Sequence, residues 1–228
     1  MNRLCLVCVG EKYIRHLSEN ITNINHEEYT AIHILTNDVS KVREIVENTM
    51  LNEKIFLSYV NELGFNYFYK FYFSLEIAIE YKDTVNYVDI MRTELLSKFT
   101  PDSNKIGIHY VSPWGPFLYN ASLLFDYGCE YFVKGYWNTF IEKLKKLNVS
   151  PESIIPITEQ LLVVNYHDKL IELKDKLKEL ENDFIAYSTN CKSVYKIPAN
   201  GEGLALGFAS HMLDIPLHLL NRRTNYLI

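Results

Sequence analysis

The chain has 228 residues, of which 48% are hydrophobic, and a net charge of −5. These values are ordinary for one sizeable globular domain, and the acidic balance argues against a nucleic-acid binder held by phosphate contacts. The run LCLVCVG near the amino terminus is too short to span a bilayer and wrongly flanked for a signal peptide. We therefore expect a cytoplasmic protein without a transmembrane segment.

The first hundred residues alternate between two kinds of hydrophobic pattern. Short apolar runs predict strands over 4–9, 30–35, 54–58 and 85–89. Longer periodic segments predict helices over 12–24, 40–50 and 67–81. This alternation is typical of a parallel sheet covered by helices.

The pattern is less regular beyond Pro101. Strands are predicted over 106–110, 184–187 and 216–220, and helices over 131–147, 168–181 and 203–213. Leucines at 170, 173, 177 and 180 form a stripe that would either join two copies in a homodimer or pack within the chain. Because no linker interrupts the sequence, we expect a single domain over 1–228.

Two motifs in the first strand region exclude common functions. Cys5 and Cys8 have the spacing of a redox or metal pair but lie in an apolar strand, whose alternation turns them to opposite faces, so buried free thiols are expected. The strand ends in VGEKYI with one glycine, at Gly10. The glycine-rich loop of NAD and FAD enzymes is therefore missing.

The segment NYFYKFYFSLEIAIEYKDTVNYVDIM, residues 66–91, joins an aromatic helix to a strand ending at Asp89. It resembles the nucleotide-sugar glycosyltransferases of the GT-A fold, in which a helix reading Y-K-x-x-x-S-L-E-x-A leads into a strand that ends in Asp-x-Asp. VCVGEKYI, HILTND, FLYNASLLF and ITEQLLVVNY also resemble parts of that family. In this chain Ile90 and Met91 follow Asp89, so the motif is degenerate.

The resemblance implies an α/β, GT-A-like fold with a mostly parallel open sheet and an irregular acceptor-side second half. Residues 1–100 would bind the nucleotide-sugar and 101–228 the acceptor. The implied activity, in glycan biosynthesis, is transfer of a sugar from a nucleotide-diphosphate donor, in our interpretation a UDP-sugar, to a saccharide or other hydroxyl acceptor. The alternative is an inactive GT-A-like module that binds saccharide or protein.

The resemblance also assigns residues to the diphosphate. Asp89 would hold it through Mn²⁺ or Mg²⁺, with Glu94 replacing the missing second carboxylate. Arg92 would otherwise neutralise phosphate in place of the ion, so a metal-independent reaction is a second option. Lys70 would reach the diphosphate or the sugar, or else extend to solvent.

The nucleoside would lie at the ends of the first two strands. Val9 and Gly10 would contact the base through backbone groups. Asp38 would accept a hydrogen bond from a base N–H or a ribose hydroxyl, or would cap the helix that follows it. Asp89 has a similar alternative as a cap or a surface ion pair.

The remaining candidates concern the sugar and the chemistry. Trp114 would stack on a sugar and Asn120 would bond its hydroxyls, or Asn120 would satisfy loop backbone. His211 would ligate a metal, or would be an ordinary packed or exposed histidine.

Two regions imply opposite stereochemistry. Glu202, in a glycine-flanked loop, would be the base of an inverting transferase. Glu159 or Gln160 would lie beneath the anomeric carbon of a retaining one. Either glutamate would otherwise complement the dipole at a helix start.

Overall fold

A computed structural model gives the structure of the protein and describes residues 1–47, 49, 52–99, 105–111, 142, 144–150, 153, 160–190 and 201–220, without the side chains of 183–190. Its strands are β1 (Asn2–Cys8), β2 (Ala31–Thr36), β3 (Ile55–Tyr59), β4 (Thr84–Val88), β5 (Ile108–Val111), β6 (Leu161–Val164) and β7 (Leu217–Leu219). Its helices are α1 (Glu11–Asn20), α2 (Val39–Glu47), α3 (Tyr69–Tyr81), α4 (Leu95–Lys98), α5 (Lys169–Asn190) and α6 (Gly201–Met212).

The seven strands form a mostly parallel open sheet of order β3-β2-β1-β4-β6-β5-β7. This confirms the predicted α/β class. The chain divides into two compact units, described separately below. Unit 1 comprises Met1–His109 and Gln160–Leu170, and unit 2 comprises Tyr110–Glu159 and Ile171–Ile228.

In unit 1, β1 is the central strand. It pairs in parallel with β2 on one side and β4 on the other, and β2 pairs in parallel with β3. Strand β6 pairs antiparallel with β4. A strand buried on both faces reads as a continuous apolar run, which is why LCLVC and AIHIL occupy the middle of the sheet.

The helices of unit 1 cover this sheet with apolar side chains. Helix α1 contributes Ile14 and Leu17 to the core, and α2 contributes Val42 and Val46. Helix α3 packs on β1, β4 and β6, and most of its residues are buried. A helix that is apolar nearly all round is a core helix, so the aromatic richness of α3 is explained by packing.

Two element predictions in particular differ from the structure, one strand was not predicted, and one predicted helix lies largely outside the described residues. The helix expected over 12–24 ends at Asn20, and a 3-10 turn follows at Ile21–Asn23. The strand expected over 184–187 is wrong because α5 continues to Asn190, as the i+3 and i+4 spacing of its leucines extends to Phe184 and Tyr187. Strand β6 was not predicted. The helix expected over 131–147 lies largely outside the described residues.

Unit 2 contains most of α5, the whole of α6 and strand β7. The stripe leucines that fall in it, at 173, 177 and 180, are all buried within the single chain, as is Leu170 of unit 1. Intramolecular packing therefore explains the stripe, and the stripe gives no support to a homodimer. In the part of the chain that the structure describes, no helix is long and apolar enough to cross a membrane.

Candidate functional site

The strand order places a change of direction between β1 and β4. The chain proceeds outward from β1 to β2 and β3, and then returns to the other side of β1 as β4. In open α/β sheets, ligands bind outside the carboxyl ends of the strands at such a switch point. The residues that follow β1, β2 and β4 in unit 1 are therefore the first candidates for a site.

The turn after β1 is held by side chains from the neighbouring strand ends. The Gly10 N–H donates to Asn37 Oδ1 at 2.8 Å, and Asn37 Nδ2 donates to Glu62 Oε2 at 2.8 Å. The Gly10 carbonyl accepts from the N–H groups of Tyr13 and Ile14 at the start of α1. Gly10 and Val9 were expected to contact a base through backbone groups. The Gly10 N–H, one of these groups, already has a partner, and Val9 is buried.

Gly10 has φ 88° and ψ 151°, a conformation available essentially to glycine alone. Replacing Gly10 with alanine should therefore lower the free energy of unfolding by about 1–3 kcal/mol. The added Cβ would meet Glu62 Oε1 at 3.7 Å, an ordinary contact, so backbone strain and not crowding is the cause. Urea unfolding measures the loss.

Gly64→Ala is the matched control for that experiment. A Cβ at Gly64 meets nothing within 4 Å, and its φ is not in the positive range. We expect its stability to be unchanged or raised by up to about 1 kcal/mol, because alanine restricts the unfolded chain. Equal losses in the two variants would contradict the strain at Gly10.

Asp38 is the N-cap of α2. Its Oδ1 accepts from the Lys41 N–H at 3.0 Å, and its own N–H donates to Thr36 Oγ1 at 3.2 Å. One carboxylate oxygen of Asp38 therefore caps α2, as the capping alternative expected. A contact with base or ribose through the other oxygen stays a prediction.

Asp89 follows the last residue of β4, within one residue of the predicted position. Its Oδ1 accepts from the Met91 N–H at 3.0 Å and caps the 3-10 turn Ile90–Arg92. Its N–H donates to the carbonyl of Gln160 at 3.0 Å. Because β6 is antiparallel to β4, its amino end and Gln160 lie at the same edge of the sheet as Asp89.

Tyr13 on α1 lies within electrostatic range of Tyr67, Lys70 and Asp89. Helix α1 packs against the turn that Asp89 caps. Burial chiefly raises the pKa of Tyr13; the Tyr67 and Asp89 charges raise it further, whereas Lys70 opposes the shift. Both Asp89 and Lys70 therefore act electrostatically on one hydroxyl.

Lys70 is only 8% exposed, so the solvent-extended alternative is wrong. Its Nζ lies 5.8 Å from the centroid of the Tyr67 ring and 5.0 Å from that of Phe71. These distances are in the range of cation–π contacts. The buried Lys70 side chain therefore lies among aromatic rings, in the first turn of α3 and near the carboxyl edge of the sheet.

Arg92 and Glu94 pair with each other. Arg92 Nε donates to Glu94 Oε1 at 2.7 Å, with both side chains partly exposed. Partial burial would raise the pKa of Glu94, but the hydrogen bond from Arg92 and nearby positive charge lower it overall. The carboxylate expected to replace the second Asp is therefore already bonded to the arginine expected to neutralise phosphate.

These residues do not suit a divalent cation. The position of the second acidic residue is Met91, an apolar side chain that is 38% exposed, and Mg²⁺ and Mn²⁺ require several oxygen ligands. No group of three or more His, Cys, Asp or Glu residues within the described ranges could hold a metal ion. His211, the other proposed ligand, is an exposed residue in the last turn of α6.

Glu202 is not in a loop, contrary to the expectation from its flanking glycines. It lies in the first turn of α6 in unit 2 and is 1% exposed. Glycine is compatible with a helix start, and a glutamate in the first turn is favoured by the helix dipole. The helix-start alternative is the one that the structure supports.

Three further candidates, Glu159, Trp114 and Asn120, lie outside the described residues. The sequence analysis, in turn, missed the roles of Asn37, Glu62, Tyr13 and Tyr67. The available signal for Asn37 was its position after β2, where polar side chains reach the carboxyl edge. Nothing local marked the partnership of Asn37 with Glu62, 25 positions later.

Sequence comparison gives no match: no protein-family model fits the chain, and no curated protein is significantly similar to it. Solved structures do resemble it. The galactosyltransferase LgtC with donor and acceptor sugar analogues has a TM-score of 0.50 at 13% identity, over 95% of this chain and 72% of that chain. An active-site mutant of LgtC gives 0.51 at 14% identity with the same coverage. The fold is GT-A-like.

The glycosyltransferase GlyE of Streptococcus pneumoniae is a third similar structure. It has a TM-score of 0.49 at 13% identity, over 96% of this chain and 45% of that chain. The similarity to the two LgtC structures establishes the fold alone, because chemistry depends on the site.

Proposed function

We propose that this protein is a glycosyltransferase that moves a sugar from a nucleotide-diphosphate donor, a UDP-sugar, to a saccharide or other hydroxyl acceptor. The observation that carries the proposal is the position of Asp89, whose N–H donates to the carbonyl of Gln160, at the switch point of a GT-A-like sheet. The two structures with TM-scores of 0.50 and 0.51 are both of the galactosyltransferase LgtC, which supports the same general activity here.

Each group has a role that follows from its chemistry. The buried ammonium of Lys70 faces the charge of the diphosphate, whose departure is the main demand of glycosyl transfer. One oxygen of Asp89 caps its turn, and the other accepts a hydroxyl of the donor ribose or sugar. Asp38 and the backbone of Val9 and Gly10 would hold the nucleoside, and Arg92 would lie beside the phosphates.

Gln160 favours a retaining reaction. Its carbonyl accepts the Asp89 N–H at the carboxyl edge of the sheet. In LgtC, a glutamine that was changed to glutamate is described as an active-site residue. The bond between the anomeric carbon and the phosphate oxygen breaks, and its electron pair goes to the diphosphate. The acceptor oxygen then bonds the same face of that carbon and gives its proton to the departing phosphate oxygen. The amide of Gln160 stabilises the oxocarbenium-like state between the two events.

The activity can be tested by incubating the full chain with a panel of UDP-, GDP-, CDP- and dTDP-sugars and measuring release of the nucleoside diphosphate. We expect release from a UDP-sugar, stimulated by a saccharide acceptor. Proton NMR of the product should show the anomeric configuration of the donor. A product with the inverted anomeric configuration would contradict the role proposed for Gln160.

The competing function is an inactive module, favoured by Met91 at the second acidic position. Thermal unfolding with the same panel separates the two, because a ligand of the native state raises the melting temperature. A shift with a UDP-sugar but no release over hours would identify a binding module. Neither shift nor release with any nucleotide would refute donor binding altogether.

A further inference from the structure

We propose that this protein binds the diphosphate of its donor without a divalent cation, and that the ammonium group of Lys70 supplies the positive charge instead. The inference rests on the proposed function, and it concerns how the same site works. The fold is GT-A-like, whereas the described part of the chain contains no group of three or more His, Cys, Asp or Glu residues that could hold a metal ion.

The carboxylates near Asp89 are already engaged. Asp89 uses Oδ1 to accept the Met91 N–H at 3.0 Å, and Glu94 is held by Arg92 at 2.7 Å. A cation at Asp89 would have to compete with both hydrogen bonds while retaining its hydration. Octahedral ions such as Mg²⁺ tolerate little deviation from ideal geometry. One partly occupied carboxylate is therefore a poor anchor for such an ion.

Two side chains could replace the ion, and the structure distinguishes them. Arg92 is about one-third exposed, so water and salt screen its charge. Lys70 is buried among Tyr67 and Phe71. A charge in such surroundings acts through a lower dielectric and is stronger toward a nearby anion. Lys70 is therefore the better counter-charge for a diphosphate.

The position of Lys70 also agrees with this role. It lies in the first turn of α3, the helix that connects β3 to β4 and packs on β1 and β4, so it lies toward the carboxyl edge of the sheet, where Asp89 follows β4. A lysine is a point charge that can serve phosphate oxygens in several orientations. Asp89 is then free to accept a donor hydroxyl, a role that needs no metal.

The first experiment uses the unaltered chain. We compare isothermal titration with UDP in excess EDTA with the same titration in Mn²⁺. Affinities within about threefold of each other would support the proposal. A rise of tenfold or more in Mn²⁺, about 1.4 kcal/mol, would overturn it while leaving the proposed function intact. Absence of UDP binding in both conditions would overturn both.

The second experiment tests Lys70 itself. Lys70→Met retains the length and apolar stem of the side chain, so packing should persist, and its melting temperature without ligand checks folding. We expect UDP affinity in EDTA to fall about tenfold to a hundredfold, the size of a lost charge-assisted hydrogen bond. Lys145→Met removes an equal charge at an exposed position and should leave the affinity unchanged. A folded Lys70→Met variant with unaltered affinity would exclude Lys70 as the counter-charge.

Discussion

Asp89→Ala should reduce release of the nucleoside diphosphate by about a hundredfold and lower the free energy of unfolding by about 1 kcal/mol. Two separate losses are expected because Asp89 has two tasks. One oxygen caps the turn Ile90–Arg92, and loss of a cap destabilises by about 0.5–2 kcal/mol. The other would accept a donor hydroxyl, and a hydrogen bond to a charged group contributes about 1.5–3 kcal/mol.

Asp89→Asn separates these tasks. Asparagine caps a turn about as well as aspartate does, so the stability of this variant should match that of the unaltered protein. Its amide oxygen is a weaker, uncharged acceptor, and we expect an activity loss of about tenfold, since a neutral hydrogen bond is roughly half as strong as a charged one. Release is measured at saturating donor, and unfolding by urea.

Asp175→Ala is the control for both variants, because Asp175 is an exposed carboxylate on α5 that has no part in the proposed site. It should leave release and stability unchanged. If Asp89→Ala kept full activity while losing stability, Asp89 would be a cap only, and the donor site would have to lie elsewhere.

The sequence was sufficient to predict the four parallel strands β1 to β4 and the location of Asp89. Central parallel strands are apolar on both faces, so β1 and β2 are recognisable from composition alone. The end of β4 is also marked locally, by the change from NYV to Asp89. Strand β6 was missed because four apolar residues without flanking breakers do not distinguish strand from helix.

The details of the site depend on contacts that no local pattern records. Glu62 reaches Asn37 only because β2 and β3 are adjacent and parallel. The pairing of Arg92 with Glu94 changes the expected role of both residues, yet it depends on how the chain turns after Asp89. Burial of Lys70 likewise follows from the packing of α3 against several strands, which the position of a lysine in the sequence does not reveal.

A large, pH-dependent effect on stability is expected around His33, in the middle of β2. This histidine on β2 is 5% exposed and stacks on Phe56 with ring centroids 5.1 Å apart. Arg3 Nη1 lies 3.2 Å from His33 Nε2, while Arg3 Nε donates to Asp83 Oδ2 at 2.7 Å. Arginine can only donate hydrogen bonds, so His33 Nε2 must accept, and the ring is neutral.

Protonation of His33 would therefore break a hydrogen bond and bury a second positive charge beside Arg3. Burial, reinforced by the Arg3 charge and opposed by Glu80, lowers the pKa of His33 from about 6.5 to about 4. The folded state thus binds a proton less readily than the unfolded state. The stability contributed by neutral His33 is complete above about pH 6.5 and is lost as the pH falls toward 4.

Between pH 7.5 and pH 5.0 this linkage should lower the free energy of unfolding by about 2 kcal/mol, the greater part of the roughly 3 kcal/mol that the whole shift represents. Urea unfolding at the two pH values measures it. His33→Gln keeps an oxygen that can accept from Arg3 but does not titrate, so its loss over the same interval should be about 2 kcal/mol smaller.

Using the difference between two pH values removes the constant loss of stacking on Phe56 that the substitution itself causes. Carboxylates also titrate in this interval, but they are common to both proteins and cancel in the comparison. His26→Gln changes a histidine of the exposed 3-10 turn His26–Glu28 and should keep the pH dependence of the unaltered protein. If His33→Gln also kept it, His33 would titrate alike in the folded and unfolded states, and the buried contact with Arg3 could not be maintained by a neutral ring.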